Sequence, residues 1–222
     1  MRDLLPPEVF SSIRSHLRLA CEEAPDGWAS NKAEEDSLTG DLGRLLRTKG
    51  SVPVLVDRKP GWQWSIRYNK FRGRGPGAFE HKSGADGIVQ IEVSRRFERV
   101  YKGVLFQAKK EGRNNDPDLN EQLQRMEAIA PGGSGVFVYG PNGYSGLKGA
   151  EYLHPVRSGG FLIRKLRPLS EFLDDFLECK NGIRGMYLDA VRELLLVPTI
   201  SGELKAHEVE VRHRVKILVT NV

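Results

Sequence analysis

Asp86, Gln107 and Lys109 place a carboxylate, an amide and an ammonium in two short apolar runs, and side chains of these types on one surface are what a small catalytic site needs. The run 86–93 reads as a strand with Val89, Ile91 and Val93 pointing one way and Asp86, Ile88 and Gln90 the other. The run 101–109 reads as a second strand, with Val104, Phe106 and Ala108 on one face and Leu105, Gln107 and Lys109 on the opposite face. Pairing them as a hairpin around Phe97–Glu98 sets Asp86 opposite Lys109 and Ile88 opposite Gln107, where directly opposed Cβ atoms lie about 4.5–5.5 Å apart. A slip of even size changes the partners and keeps the shared face. The expectation is an apolar inner face and an outer face carrying Asp, Gln and Lys.

Positioning these groups takes an alternation of helices and strands. Val9, Ile13, Leu17 and Ala20 give residues 7–23 a helical spacing, with Pro7 near its start. Pro25, Asp26 and Gly27 break it, and a second helix is expected from about Lys32 to Thr48 with Leu38, Leu42, Leu45 and Leu46 on one stripe. Strands are expected at 52–57 and 62–68, then a Gly/Pro-rich loop at Arg72–Gly77. Beyond the hairpin, Pro117 and Asp118 open a helix with Leu119, Leu123, Met126 and Ile129 in register. A buried strand follows at Val136–Tyr139, then helices near 169–179 and 184–196 and an alternating strand from Val209 to Val219. The order predicts an α/β fold with a mixed central sheet flanked by helices.

The chain has 222 residues, 39% apolar and 28% charged, the balance of an ordinary folded protein rather than a disordered one. No run of about 18 apolar residues occurs, and Asp3, Pro6, Pro7 and Glu8 stand where a signal peptide would be apolar. Cys21 and Cys179 show no metal spacing and read as free thiols. A cytoplasmic protein without a membrane span is expected. The net charge of +5 is unevenly placed: residues 1–57 carry −3, residues 58–113 carry +9 and residues 114–222 carry −1. The basic segment also holds Trp62, Trp64, Tyr68, Phe71 and Phe79 among Arg67, Lys70, Arg72 and Arg74. Such a field fits either a nucleic-acid groove or a solvated basic face.

Gly84-Ala85-Asp86-Gly87, followed by Gln107-Ala108-Lys109 in an apolar strand, resembles the PD-(D/E)xK nuclease superfamily. The helix carrying Glu34, Glu35, Asp36 and Asp41 resembles the acidic first helix of that core, and the order of elements matches it across residues 31–140. Two departures stand out: no Pro precedes Asp86, and Gln107 takes the place of the usual acid. The resemblance implies a restriction-endonuclease-like core at residues 1–160, with residues 161–222 as a C-terminal α+β extension packed on it as one domain. It also implies DNA as substrate, Mg²⁺ as cofactor with Mn²⁺ as a substitute, a place in prokaryotic antiviral defence, and control by a homo-oligomer or regulatory partner.

The residue types suit those roles. Mg²⁺ takes oxygen ligands and uses only one or two carboxylates. Asp86 supplies one, Glu35 a second, and Gln107 an amide oxygen at the cost of one negative charge. Lys109 would orient water and stabilise charge on a phosphate. Glu35 precedes Leu38 and Leu42 by helical spacing and so points inward, with Glu34 in reserve and Asp41 third. Both glutamates also suit the first turn of any helix. Gly84–Gly87 fits a plain turn as well, and Lys109 and Lys110 a solvated strand end. Gln122 shares a stripe with Leu119 and Met126, either as a structural tether or as a contact to the scissile phosphate; Arg72, Arg74 and Lys110 would track the backbone. Arg72–Gly77 lacks the Gly-Lys-Ser/Thr ending of a P-loop, and the histidines at 16, 81, 154, 207 and 213 show no zinc spacing. Two further readings stay open: a non-catalytic nucleic-acid-binding module on the same fold, and a regulatory or structural subunit whose strand Val209–Val219 pairs with a partner.

Overall fold

Val9, Ile13, Leu17 and Ala20 form the buried stripe of helix α1 (Pro7–Glu23) in the computed structural model, which describes residues 1–30, 34–71, 83–112, 117–154, 156–158, 161–163, 166–209 and 211–221. A short α2 (Asp26–Ser30) precedes α3 (Glu35–Leu46), which buries Leu38, Leu42 and Leu46. Next come β1 (Val52–Val56), β2 (Lys59–Lys70), β3 (Gly87–Arg95), β4 (Glu98–Lys110), α4 (Pro117–Ile129), β5 (Ser134–Gly140), β6 (Gly143–Lys148) and α5 (Gly149–Leu153). The chain continues through β7 (Val156–Ser158), β8 (Phe161–Ile163), β9 (Arg167–Pro168), α6 (Leu169–Leu177), β10 (Ile183–Arg184), β11 (Tyr187–Asp189), β12 (Leu194–Pro198), β13 (Leu204–Glu208) and β14 (His213–Asn221).

Among the described residues, nine strands form one mixed sheet in the order β1-β2-β14-β3-β4-β5-β6-β9, with β10 against β4. β3 runs antiparallel to β4, while β14–β3 and β4–β5 are parallel. The fold is therefore α/β, a large mixed sheet flanked by helices. One face, with Val89, Ile91, Val104 and Phe106, packs under α1, α3 and α6. The other, with Ile88, Leu105, Val136 and Val138, packs under α4, α5 and the small sheet β11-β12-β13. Burying each such side chain contributes roughly 1.5–3 kcal/mol, so both layers are needed to hold β3 and β4 in place.

Four expectations are corrected. The β3–β4 hairpin turns at Arg96-Phe97 and pairs Gly87 with Phe106 and Ile88 with Leu105, two residues from the expected register. That even slip leaves Asp86, Gln107 and Lys109 on one face. This face is no solvent-facing outer surface, because α4 and the small sheet cover its apolar part. The segment near 184–196 forms β10, β11 and part of β12 instead of a helix. Finally, the alternating C-terminal run enters the sheet at His213 and lies between β2 and β3, so both its edges are taken and it cannot pair with a partner chain. No helix among the described residues is long and apolar enough to cross a membrane.

Candidate active site

Asp86 stands at the mouth of β3, held by its own backbone. Its N–H donates to the Phe106 carbonyl (2.9 Å), and its carbonyl accepts from the N–H groups of Arg212 (2.9 Å) and His213 (3.0 Å). Its Oδ2 accepts from the Ala108 N–H at 2.8 Å. The turn before it depends on Gly84, whose φ of +73° lies in the left-handed region. A Cβ at Gly84 would come within 2.4 Å of the Gln122 carbonyl oxygen, so the turn sits directly on the α4 backbone.

Gln107 and Lys109 alternate along β4, 4% and 7% exposed, between Asp86 and the start of α3. Glu35 opens α3, and its Oε1 accepts the Lys110 N–H at 3.0 Å, fastening the helix to the β4 backbone. One turn on, the Thr39 hydroxyl donates to the Glu35 carbonyl (2.9 Å) and meets the Tyr139 hydroxyl at 3.0 Å. Burial raises the Tyr139 pKa far above the ordinary phenol value, so it stays a neutral partner.

A second fastening runs from Asp36 to β14. The imidazole of His213, 1% exposed, reaches Asp36 Oδ1 through Nε2 (2.9 Å) and the Tyr68 hydroxyl through Nδ1 (2.8 Å). Burial lowers the His213 pKa more than Asp36 raises it, which favours the neutral ring. An ionised carboxylate only accepts, so Nε2–H donates to Asp36 and Nδ1 accepts from Tyr68. Burial alone would raise the pKa of Asp36, but Lys70 and His213 outweigh it and keep the group ionised. Gly43 lets α3 lie this close, since a Cβ there would meet the Tyr68 ring at 2.3 Å.

These elements enclose a cavity of about 210 Å³ lined by Glu35, Asp36, Thr39, Asp86, Gln107, Lys109, Asp118, Gln122, Arg212 and His213. Every lining residue is polar or charged, and four carboxylates face Lys109 and Arg212, a balance that suits a small cation and its waters rather than an apolar ligand. Gln122 Oε1 is buried without a partner among the described residues, a state costing about 1–3 kcal/mol unless a donor is supplied. Among the described residues no three His, Cys, Asp or Glu side chains converge closely enough to hold a metal ion by themselves. The available set is two carboxylates, Glu35 and Asp86, with the amide oxygen of Gln107. That all-oxygen set fits Mg²⁺, which keeps several waters. A larger cavity of about 530 Å³, lined in part by Cys21, Tyr144 and Arg167, contains none of these residues.

The structure thus brings Glu35, Asp86, Gln107, Lys109 and Gln122 together. Lys110 stands elsewhere, with its ammonium 5.4 Å from the centre of the Trp28 ring. Glu34 is exposed ahead of α3, and Asp41 pairs with Arg44. Arg72 and Arg74 lie outside the described residues. Sequence reasoning missed Asp36, Thr39, Asp118, Arg212 and His213 as wall residues. Asp118 was readable, one helical turn before Gln122 on the same face; Arg212 and His213 were not, because their placement depends on where β14 enters the sheet. The basic segment also divides. Lys70, Lys109 and Lys110 lie at the cavity end of their strands, whereas Lys59, Arg95 and Arg99 lie at the other.

No family model, no curated protein and no solved structure matches the chain.

Proposed function

We propose that this chain is a Mg²⁺-dependent endonuclease that hydrolyses DNA phosphodiester bonds. The observation that carries the reading is the meeting of Glu35, Asp86, Gln107 and Lys109, from three separate stretches of sequence, in one small all-polar cavity. It supports the resemblance to PD-(D/E)xK nucleases and, through it, a restriction-endonuclease-like core with β3, β4, α4 and β5 at its centre. DNA rather than RNA, a role in prokaryotic defence and control by a partner or homo-oligomer follow from that resemblance.

Glu35, Asp86 and the Gln107 amide oxygen would hold the cation. When bound, Mg²⁺ supplies charge neutralisation at the phosphate and lowers the pKa of a coordinated water. The backbone bonds from Ala108 and Lys110 hold one oxygen of each carboxylate beforehand, which reduces the side-chain ordering left for the moment of binding. Lys109, on the same face of β4 as Gln107, orients the attacking water and offsets charge on the phosphate as the water oxygen bonds to phosphorus and the bond to the leaving sugar oxygen breaks. A neutral Lys109 would instead take the water's proton as it attacks and leave the charge on the phosphate to the cation.

Incubation with supercoiled plasmid in Mg²⁺, Mn²⁺ or EDTA tests the reading. Nicking or linearisation in either metal, absent in EDTA, is the expected result. Plasmid bound but uncut in both metals would overturn the nuclease and favour the binding module.

A further inference from the structure

At the end of β3 farthest from Asp86 the hairpin presents a fully exposed aromatic ring. Phe97, in the two-residue turn closed by Arg95 and Glu98, is 101% exposed and belongs to no core. Eight residue steps along β3 put this tip roughly 26 Å from the cavity. Arg95, Arg96 and Arg99 surround Phe97, against the single carboxylate of Glu98. On the neighbouring strand Trp62 packs against the core and pairs with Asn221, and the Arg95 guanidinium lies 5.6 Å from the centre of the Trp62 ring. Trp62, Arg95, Arg96 and Asn221 line a cavity of about 430 Å³, and Arg95 Nε is buried without a partner among the described residues.

We propose that this tip is a second nucleic-acid contact, separate from the cavity, that takes unpaired nucleotides. The exposed ring of Phe97 receives a base, and Arg96 and Arg99, with Arg95 held beside the Trp62 ring, receive phosphates. Two features favour single-stranded nucleic acid. The exposed ring of Phe97 lies among three arginines, the pattern that pairs base stacking with backbone attraction. The interior bases of a duplex are already stacked on one another, so a surface ring meets an unpaired base without the cost of opening a base step. In a nuclease, such a contact would hold a displaced or frayed strand well away from the bond being cut.

The test is fluorescence anisotropy in EDTA with labelled oligo-dT of roughly 20 nucleotides and a duplex of equal length, for wild type, Phe97→Ala and the double variant Arg96→Gln/Arg99→Gln. Arg96 and Phe97 form the turn and Arg99 is an exposed residue of β4 beside it, and thermal melts of the variants report folding. The expected result is an affinity for oligo-dT at least about fivefold weaker in Phe97→Ala, the scale of one lost base stack, with duplex affinity nearly unchanged. In the double variant the salt dependence of binding should become shallower by roughly 0.7 per phosphate contact removed. Variants that bind oligo-dT with wild-type affinity and salt slope would overturn the proposal. So would sedimentation showing that Phe97→Ala dissociates an oligomer while leaving oligo-dT binding intact, which would assign the tip to a second copy of the chain. The measurement needs neither metal nor turnover, so its failure is distinct from failure of the nuclease reading.

Discussion

Gln107 is buried beside Asp86 and Lys109, and it is the residue through which this site differs most from a carboxylate pair plus lysine. An amide oxygen would donate to a cation without contributing charge, so under the proposed function the attraction for the metal would come from the cavity's carboxylates, with Glu35 and Asp86 as the direct ligands. Gln107→Glu keeps the size and adds a charge. It should lower the Mg²⁺ concentration for half-maximal cutting by about tenfold, roughly 1.4 kcal/mol, and a metal titration of initial nicking rates checks this. An unchanged or higher requirement would mean that Gln107 does not face the cation. The candidate residues were legible because their types are unusual in apolar strands: a Gln and a Lys two apart in Phe106-Gln107-Ala108-Lys109 call for an explanation. Asp36 was less legible, since an acid in a first helical turn has an ordinary electrostatic reason to be there, and only its bond to His213 shows a second use.

At the scale of elements, the site depends on two joints. One is the pinning of α3 to β4 and β14 by Glu35 and by the Asp36–His213–Tyr68 chain. The other is the contact of the Gly84 turn with α4, which sets Asp86 against Gln122. Gly84→Ala should destabilise the protein by at least about 1–2 kcal/mol from the left-handed backbone alone, with more from the contact with the Gln122 carbonyl. It should also reduce cutting beyond the loss of folded protein, because Asp86 shifts with the turn. Denaturant unfolding alongside nicking rates separates the two effects; wild-type stability would contradict the account. Periodicity made α1, α3 and α4 legible, because each buries a 3.6-residue stripe. It failed at 184–196, where Leu194, Leu195 and Leu196 sit among helix-favouring Arg and Glu. In the structure the buried residues Leu195 and Val197 alternate with half-buried neighbours, and Glu193 takes a positive φ that starts a strand.

For the whole molecule, the decisive feature is the insertion of β14 between β2 and β3. It supplies Arg212 and His213 to the cavity wall and makes the last strand central to the sheet. Local patterns show that a run is a strand and which face it buries, but they do not say which neighbours it takes, so this pairing was not legible. The price of such a tightly covered sheet shows at Lys102, 1% exposed, whose ammonium donates to the Phe176 carbonyl and lies 4.4 Å from the Phe176 ring centre. Burial pulls its pKa down to about 8, against an opposing pull from Cys179. The unfolded chain, with a lysine pKa near 10.4, therefore binds more protons than the folded one between these values, and stability rises with pH across that window. Relative to Lys102→Met, the wild type should gain up to about 3 kcal/mol as pH rises from about 8 to 10.4. Parallel stability–pH curves for the two proteins would show that Lys102 is not held with a lowered pKa.

Whether the cavity formed by α3, β3, β4 and α4 hydrolyses phosphodiesters is tested by plasmid cleavage in Mg²⁺ by wild type, Asp86→Ala and Lys109→Ala side by side. Metal-dependent nicking by the wild type is expected, with a loss of at least about 10²-fold in each folded variant, the scale of removing a group that takes part in proton transfer or charge stabilisation. Cutting by both variants at the wild-type rate would contradict this expectation and move the chemistry away from this cavity.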